Sequence, residues 1–483
     1  MKNLRSYLLL FTFLGFATIF GNQVNAPAFN TYYVSTAGSD LNPCVQSAPC
    51  KTITKGIAMA QPGDTVIVLA GEYRENVNVN KSNIVLKTDG NVVINGTGLP
   101  VQNGGGLINI PATVTGATVQ GFEVANGGTY GISVFGNSNT IIGNKVHHIQ
   151  GVGFWIRNGR DNLFENNELY FSVLENSVSF DGTRYVCNPN NTTGWASAVN
   201  PWGTANSNIY RGNYIHDNCG EGIVLYDNDI AENNDLKNNW SVEIYIDQHI
   251  GATVRNNRID NSRPYFPRGS NQSWKQVPYG IAIADEAGCR ADQNTITGNT
   301  ITNVRYGFSF YTYATCSGLK NTLFANNSII NAYEYAIRIT PGSHVNSVIR
   351  DNLILLTNGK PLYIQGNKIS VVGNTFFSNV NAFDWKGSTY TFLSWSALVP
   401  GNFWSGVVPT VQTPTATLTL LPSATNTITP TPVPSSTFIL TPTVTKTALP
   451  PTATPVPATR TPTLIPTVCF VNYTPKFCVV PMP

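Results

Sequence analysis

One pattern governs what this chain can fold into. An asparagine, any residue, then an aliphatic or aromatic one returns at Asn144, Asn167, Asn213, Asn234, Asn257, Asn299, Asn327, Asn352 and Asn374. Successive gaps are 23, 46, 21, 23, 42, 28, 25 and 22 residues, so the period is about 22 and two gaps carry an insertion. Phe122, in VQGFEV, marks one earlier turn. Each period holds a second short segment (GISVF, GFWIR, GIVLY, GIAIA, GFSFY) whose aliphatic residues alternate with others, as in a half-buried strand. Short strands at this period, with no 3.6-residue repeat, predict coils of parallel strands stacked at ~4.8 Å. Leucine-rich repeats have a similar period, but their LxxLxLxxN signature and helical half are missing. Stacked asparagine amides can donate to one another along such an axis, so the recurring residue is read as structural. A second short series follows four positions later at Asn238, Asn261, Asn303 and Asn331.

Composition narrows the classes. Lys+Arg number 29 and Asp+Glu 26, a net +3. Without Lys2 and Arg5 the balance is 27 − 26 = +1. Such a surface lacks the positive field that gathers phosphate backbones, which argues against nucleic-acid binding. Lys2 and Arg5 precede an apolar run over residues 7–20, with Ala26 and Ala28 beyond, which reads as a signal peptide cleaved after Ala28. The run falls short of the ~20 apolar residues of a membrane span, and no later one is long enough. Residues 405–468 are Thr/Pro-rich, unable to form helix or sheet interior, and read as an extended linker or stalk. Residues 469–483 form a short Cys-containing end, leaving 29–404 as the repetitive domain. The chain holds eight cysteines, as an oxidising destination allows, and no zinc-type spacing. Cys44 with Cys50 and Cys469 with Cys478 can each close a small loop.

The stretch YYVSTAGSDLNPC…APCKTITKGIAMAQPGDTVIVLAGEYRENV, residues 32–77, resembles the cap and first coil of the secreted right-handed parallel β-helix proteins that include pectate lyases. The resemblance extends over roughly residues 32–404. It implies an all-β, single-stranded right-handed parallel β-helix, with a helical segment at residues 51–60 closing the open end. It leaves the activity open, since one fold hosts many. Aligning GIAIAD with GFSFYT places Cys289 and Cys316 on adjacent coils, within disulfide reach, and leaves Cys187 to pair with Cys219.

The insertions, residues 181–194 and 262–278, both follow an anchor asparagine and are expected at one corner, walling a groove floored by WASAV, GIVLY and VEIYI. Outward residues on that face are Trp155, Arg157, Tyr226, Tyr245, Asp247, Tyr311 and Arg338, with Trp195 and Trp274 near the walls. Aromatic rings suit the apolar faces of sugars, and Arg or Asp suits hydroxyls and carboxylates, although aromatics also favour strands for their own sake. Three strands end in acid, at Asp227, Asp247 and Asp285, with Glu221, Asp229, Glu243, His249 and Glu286 close by. Carboxylates one coil apart must share a proton, hold a cation or diverge. Asp227, Asp247, Asp285 and Glu221 are therefore the catalytic candidates, and Asp227 with Asp285 a candidate Ca²⁺ pair. A one-residue shift in VEIYID would take Asp247 off that column.

Lyases of the resembling group commonly pair Ca²⁺ with a Lys or Arg base. No motif here fixes such a base; Arg157 and Arg338 lie on the floor, and Arg263, Arg268 and Lys275 on the second wall. Arg211, Glu232 and Arg255 suggest an ionic stack between coils, and His147, His148 and His216 turn residues. The expectation is a monomeric extracellular lyase or hydrolase acting on a polysaccharide. The alternative is a non-catalytic carbohydrate-binding, adhesion or spacer protein.

Overall fold

A computed structural model describes residues 29–101, 104–187, 196–262, 278–286, 288–313 and 316–408, together with the backbone of two strands, Thr467–Val471 and Thr474–Cys478. Residues 1–28, expected as a signal peptide, most of the Thr/Pro stretch, Trp195, Trp274, Arg263, Arg268 and Lys275 lie outside these residues.

Two sheets, of 24 and 13 strands, enclose one core; all their pairings are parallel except that of Phe383–Trp385 with the terminal strand Ser388–Tyr390. Each regular coil gives two short strands to the first sheet and one to the second, as in Thr140–Ile142, Lys145–His147 and Phe154–Arg157. The next coil repeats them in register, Thr140 against Leu163 and Lys145 against Glu168. The bend between the first two strands has a local cause. The residue before each ladder asparagine is left-handed: Gly143, Asn166, Gly212, Asn233, Asn256, Gly298, Asn326, Asp351, Gly373 and Gly401 all have positive φ. Only glycine and the short polar residues accept that conformation cheaply, which is why the anchors read GN, NN or DN. Inward side chains such as Ile141, Val146, Phe154, Phe164 and Leu169 are fully buried and stack like upon like, Phe164 lying 5.2 Å from Tyr210.

The asparagine ladder is continuous from Asn144 to Asn374, and Asn402 adds a last rung. Each Nδ2 donates to the next Oδ1; at Asn257 the distance to Asn299 is 2.9 Å. The Phe122 N–H caps the first rung at 3.0 Å. A parallel ladder runs through Asn139, Asn162, Asn208 and Asp229. Asn238, Asn303 and Asn331 are left-handed corner residues, linked only in part, as by Asn331 to Asn303 at 3.4 Å.

The helix Ile53–Met59 closes the first end, its Ile53 and Ile57 buried in the core. Asp40 and Glu75 accept from the N–H groups of residues 51–54 that start it. At the far end Phe392–Leu398 buries Trp395 completely. Disulfides join Cys44 to Cys50, Cys187 to Cys219 and Cys289 to Cys316, the last with 5.6 Å between Cα atoms. Asp285 opposes Thr312, the register the cysteine spacing required. The strands Thr467–Val471 and Thr474–Cys478 form an antiparallel hairpin of their own; the Cys469–Cys478 pairing concerns side chains outside the description. Glu232 joins Arg211 and Arg255, each at 2.6 Å, in the expected ionic stack. His147 and His216 are strand residues stacked on Tyr170 rather than turn residues, and only His148 occupies a corner.

Candidate functional site

The 13-stranded sheet carries a cleft of about 640 Å³. Its floor crosses six coils, from Ser197–Trp202 through Glu221–Leu225, Val242–Asp247, Tyr279–Asp285 and Tyr306–Thr312 to Tyr335–Ile339. Five strand spacings make that roughly 24 Å.

Register decides which predicted residues meet. Tyr245 opposes Ala282, then Ser309 and Arg338; Asp247 opposes Ala284, then Tyr311. Small residues thus form a low row between Tyr245 and Tyr311, and the two hydroxyls close over it at 3.0 Å. Both also reach Glu286 Oε1, at 3.3 and 3.4 Å. Burial first, then the Tyr311 ring for Tyr245 and the neighbouring acids for both, raises the pKa of each phenol, so both keep their protons. Arg338 stands over the ring of Tyr306 at 5.1 Å and donates to Ser309 at 3.4 Å. Trp202 is 55% exposed and lines the cleft, backed by Trp155, itself stacked on Tyr130. Arg157 pairs in register with Trp202 at the margin.

The aspartates do not form one column. Asp247 is offset by a residue from Asp285, and only Asp247 faces the cleft. Asp285 is fully buried and accepts from the N–H groups of Arg290 and Gly318. Asp227 accepts from His249 Nδ1 at 2.8 Å, Ile250 N–H at 3.0 Å and Arg290 at 2.8 Å. These donors outweigh burial and hold its pKa below the ordinary value. Both carboxylates are thus committed to N–H donors and do not fit a Ca²⁺ site. Among the described residues no group of three or more His, Cys, Asp or Glu side chains is placed to hold a metal ion.

Glu221 and Asp247 are the acids with chemistry to offer. Glu221 is 6% exposed and lines the cleft; burial first, then the charges of Asp247 and Glu286, push its carboxyl up to about 8. Burial raises Asp247 to about 6, opposed by a 3.1 Å hydrogen bond from Gln248 and reinforced by Glu286 and Asp285. At neutral pH Glu221 holds a proton and Asp247 is mostly ionised, an arrangement that separates acid and base roles. Asp229 and Glu243 belong to the core: Asp229 is a ladder member, and Glu243 accepts both donors of Asn239.

Both insertions leave the coil at the same corner, between the second strand of the larger sheet and the strand of the smaller one. The described part of the first is a hairpin, Ser177–Phe180 with Tyr185–Cys187. Its Phe180 and Tyr185 pack on Phe171 at the corner instead of walling the cleft. The second, with Trp274, lies outside the described residues, as does Trp195. Sequence reasoning missed Trp202 and Asn200 because it ended that strand at Val199, and it missed Ala282, Ala284 and Arg290 because nothing in their types announces a site.

The description "Pel9A-like, right handed beta helix region" matches residues 32–262, over the cap and the coils up to the second insertion. The chain is a right-handed parallel β-helix protein, similar over residues 32–262 to that Pel9A-like region. A second description, "Periplasmic copper-binding protein (NosD)", matches residues 190–337. Among solved structures the β-helix is similar to pectate lyase Pel9A at 15% identity, covering 72% of this chain and 80% of that one, TM-score 0.40. It is similar to an alginate lyase from Paenibacillus sp. str. FPU-7 at 17% identity, covering 62% and 95%, TM-score 0.41. PfbA, a surface adhesin of Streptococcus pneumoniae, matches at 14% identity over 67% and 86%, TM-score 0.36. At these identities and scores none of them names an activity for this chain. Comparison with curated protein sequences finds no match.

Proposed function

We propose that this β-helix binds a polysaccharide in the cleft and hydrolyses its glycosidic bonds by acid–base catalysis. The observation that carries the reading is the pair Glu221 and Asp247, lining one aromatic-floored cleft and kept in opposite protonation states at neutral pH. Glu221 donates its proton to the leaving oxygen, and ionised Asp247 offsets the positive charge that develops on the sugar ring. Exposed Trp202 and half-buried Tyr226 and Tyr311 supply stacking surfaces, and Arg338 a cation at one end. Three disulfides and the N-terminal signal pattern support an exported protein, held out on the Thr/Pro segment.

The test is incubation of the purified chain with uronate and neutral polysaccharides, with and without Ca²⁺. Hydrolysis gives new reducing ends with no new ultraviolet absorbance, and Glu221→Gln lowers the rate on the order of 10²–10⁴-fold while leaving glycan retention intact. Unsaturated products would replace hydrolysis by elimination. Retention on a glycan column with no cleavage would favour the binding or adhesion alternative.

A further inference from the structure

Asp227, His249 and Arg290 come from three successive coils and meet at one margin of the cleft. The imidazole is held on two sides. Its Nδ1 lies 2.8 Å from Asp227 Oδ1, and its face lies on the Tyr226 ring with centroids 3.8 Å apart. Asp227 is itself fixed by Arg290 and the Ile250 N–H. An ionised carboxylate only accepts hydrogen bonds, so Nδ1 carries the proton and Nε2 keeps its lone pair. His249 lines the cleft, and Nε2 has no hydrogen-bond partner among the described residues. The groups that bear on the ring are Asp227 and Arg290, with Tyr226 beneath and Asp247 two residues earlier in the chain. Burial outweighs the pull of Asp227 and lowers the pKa of His249, which keeps the imidazole neutral at pH 7.

We infer that His249 is a second catalytic residue of the hydrolytic cleft, its Nε2 accepting a proton from the water that attacks the sugar. The inference rests on the hydrolytic reading above. Glu221 begins its strand, whereas His249 follows the end of the next one, so the two groups enter the cleft from opposite margins. The step balances. The glycosidic C–O bond breaks and its oxygen takes the Glu221 proton. The water oxygen bonds to the anomeric carbon, and its proton passes to Nε2. Attack from the margin opposite the acid inverts the anomeric configuration, and no covalent sugar–enzyme bond forms.

Two measurements on the full chain test this. Proton NMR of a cleaved polysaccharide reads the first-formed anomer: inversion is expected, and retention overturns the role. His249→Ala should lower kcat on the order of 10²–10⁴-fold with little change in KM, and added imidazole should restore part of the rate. Asp227→Asn should cut kcat as well, because its amide donates to Nδ1 and drives the proton to Nε2, a tautomer that nitrogen NMR of His249 reports without any substrate. A kcat within threefold of the parent in His249→Ala overturns the assignment while leaving hydrolysis standing. If the parent chain cleaves no glycan, the hydrolytic reading fails and this role falls with it.

Discussion

Replacing Asn257 by alanine removes a rung from the middle of the ladder. Its Oδ1 accepts two hydrogen bonds from Asn234, from the backbone N–H and from Nδ2, each at 2.9 Å. Its Nδ2 donates to the Ala231 carbonyl and to Asn299 Oδ1, again at 2.9 Å. Asn299 Oδ1 still accepts the residue 257 N–H after truncation, so the main loss falls on Asn234. The backbone N–H of Asn234 and one of its two Nδ2 hydrogens lose their partner in a fully buried column, while the other Nδ2 hydrogen keeps the Tyr210 carbonyl at 2.9 Å. An orphaned buried donor costs about 1–3 kcal/mol, so Asn257→Ala should destabilise by about 2–6 kcal/mol. Asn402→Ala, at the half-exposed last rung, lets water replace the lost partner and should cost about 1 kcal/mol. Asn257→Asp separates donor loss from packing. Its carboxylate still accepts from Asn234, but at neutral pH it sets an oxygen against the Ala231 carbonyl and Asn299 Oδ1. Protonation restores one donor, and burial raises the folded-state pKa as it does for Asp229 in the companion ladder, so this variant should regain stability as pH falls from that raised pKa and lie nearest the parent below about 4. Urea unfolding followed by tryptophan fluorescence, with hydrogen exchange at Asn234, reads both effects. Solenoids need not unfold in one step, so exchange at that amide is the more direct measure. Equal losses below about 1 kcal/mol for Asn257→Ala and Asn402→Ala would refute the ladder as a source of stability.

Other outcomes follow from the same coordinates. Ala284→Leu places a larger side chain in the buried row between Asp247 and Tyr311. It should cost about 1–3 kcal/mol and part the Tyr245–Tyr311 hydroxyls, seen as weaker glycan retention with the larger sheet unchanged. Burial raises Glu221 and Glu243 to about 8 each, so the folded state holds protons that the unfolded chain has released. Stability should therefore be full below about pH 4.5 and decline as pH rises toward 8; Glu221→Gln should flatten part of that decline while slowing any cleavage. Glu232→Gln leaves Arg211 and Arg255 without their shared carboxylate; both are half-exposed, so a loss of about 1 kcal/mol is expected, shrinking in high salt.

The fold was legible because one turn solution repeats. A left-handed Gly, Asn or Asp followed by a ladder asparagine recurs with every coil and leaves a visible period. The companion ladder through Asn139, Asn162 and Asn208 uses the same device at Ser138, Asp161 and Ser207, and it escaped notice because its next member is Asp229. The site was less legible, for a reason of parity. Asp227, Asp247 and Asp285 look equivalent at the ends of similar segments, yet a one-residue stagger sends side chains to opposite faces of a sheet. Asp247 opposes Ala284, so Asp285 turns into the corner while Asp247 looks out. His249 was visible as a residue; its alignment by Asp227 and Arg290 depends on three coils stacking and has no signature along the chain.

The left-handed residue before each rung has a wider consequence. Because every coil closes with the same bend and offers the same amide above and below, a whole module of 21–23 residues can be added or removed without disturbing its neighbours' bonding. The length of the cleft floor, and with it the number of sugar units that the proposed binding would engage at once, is then set by the copy number of coils, which duplication or loss of one segment can change in a single evolutionary step.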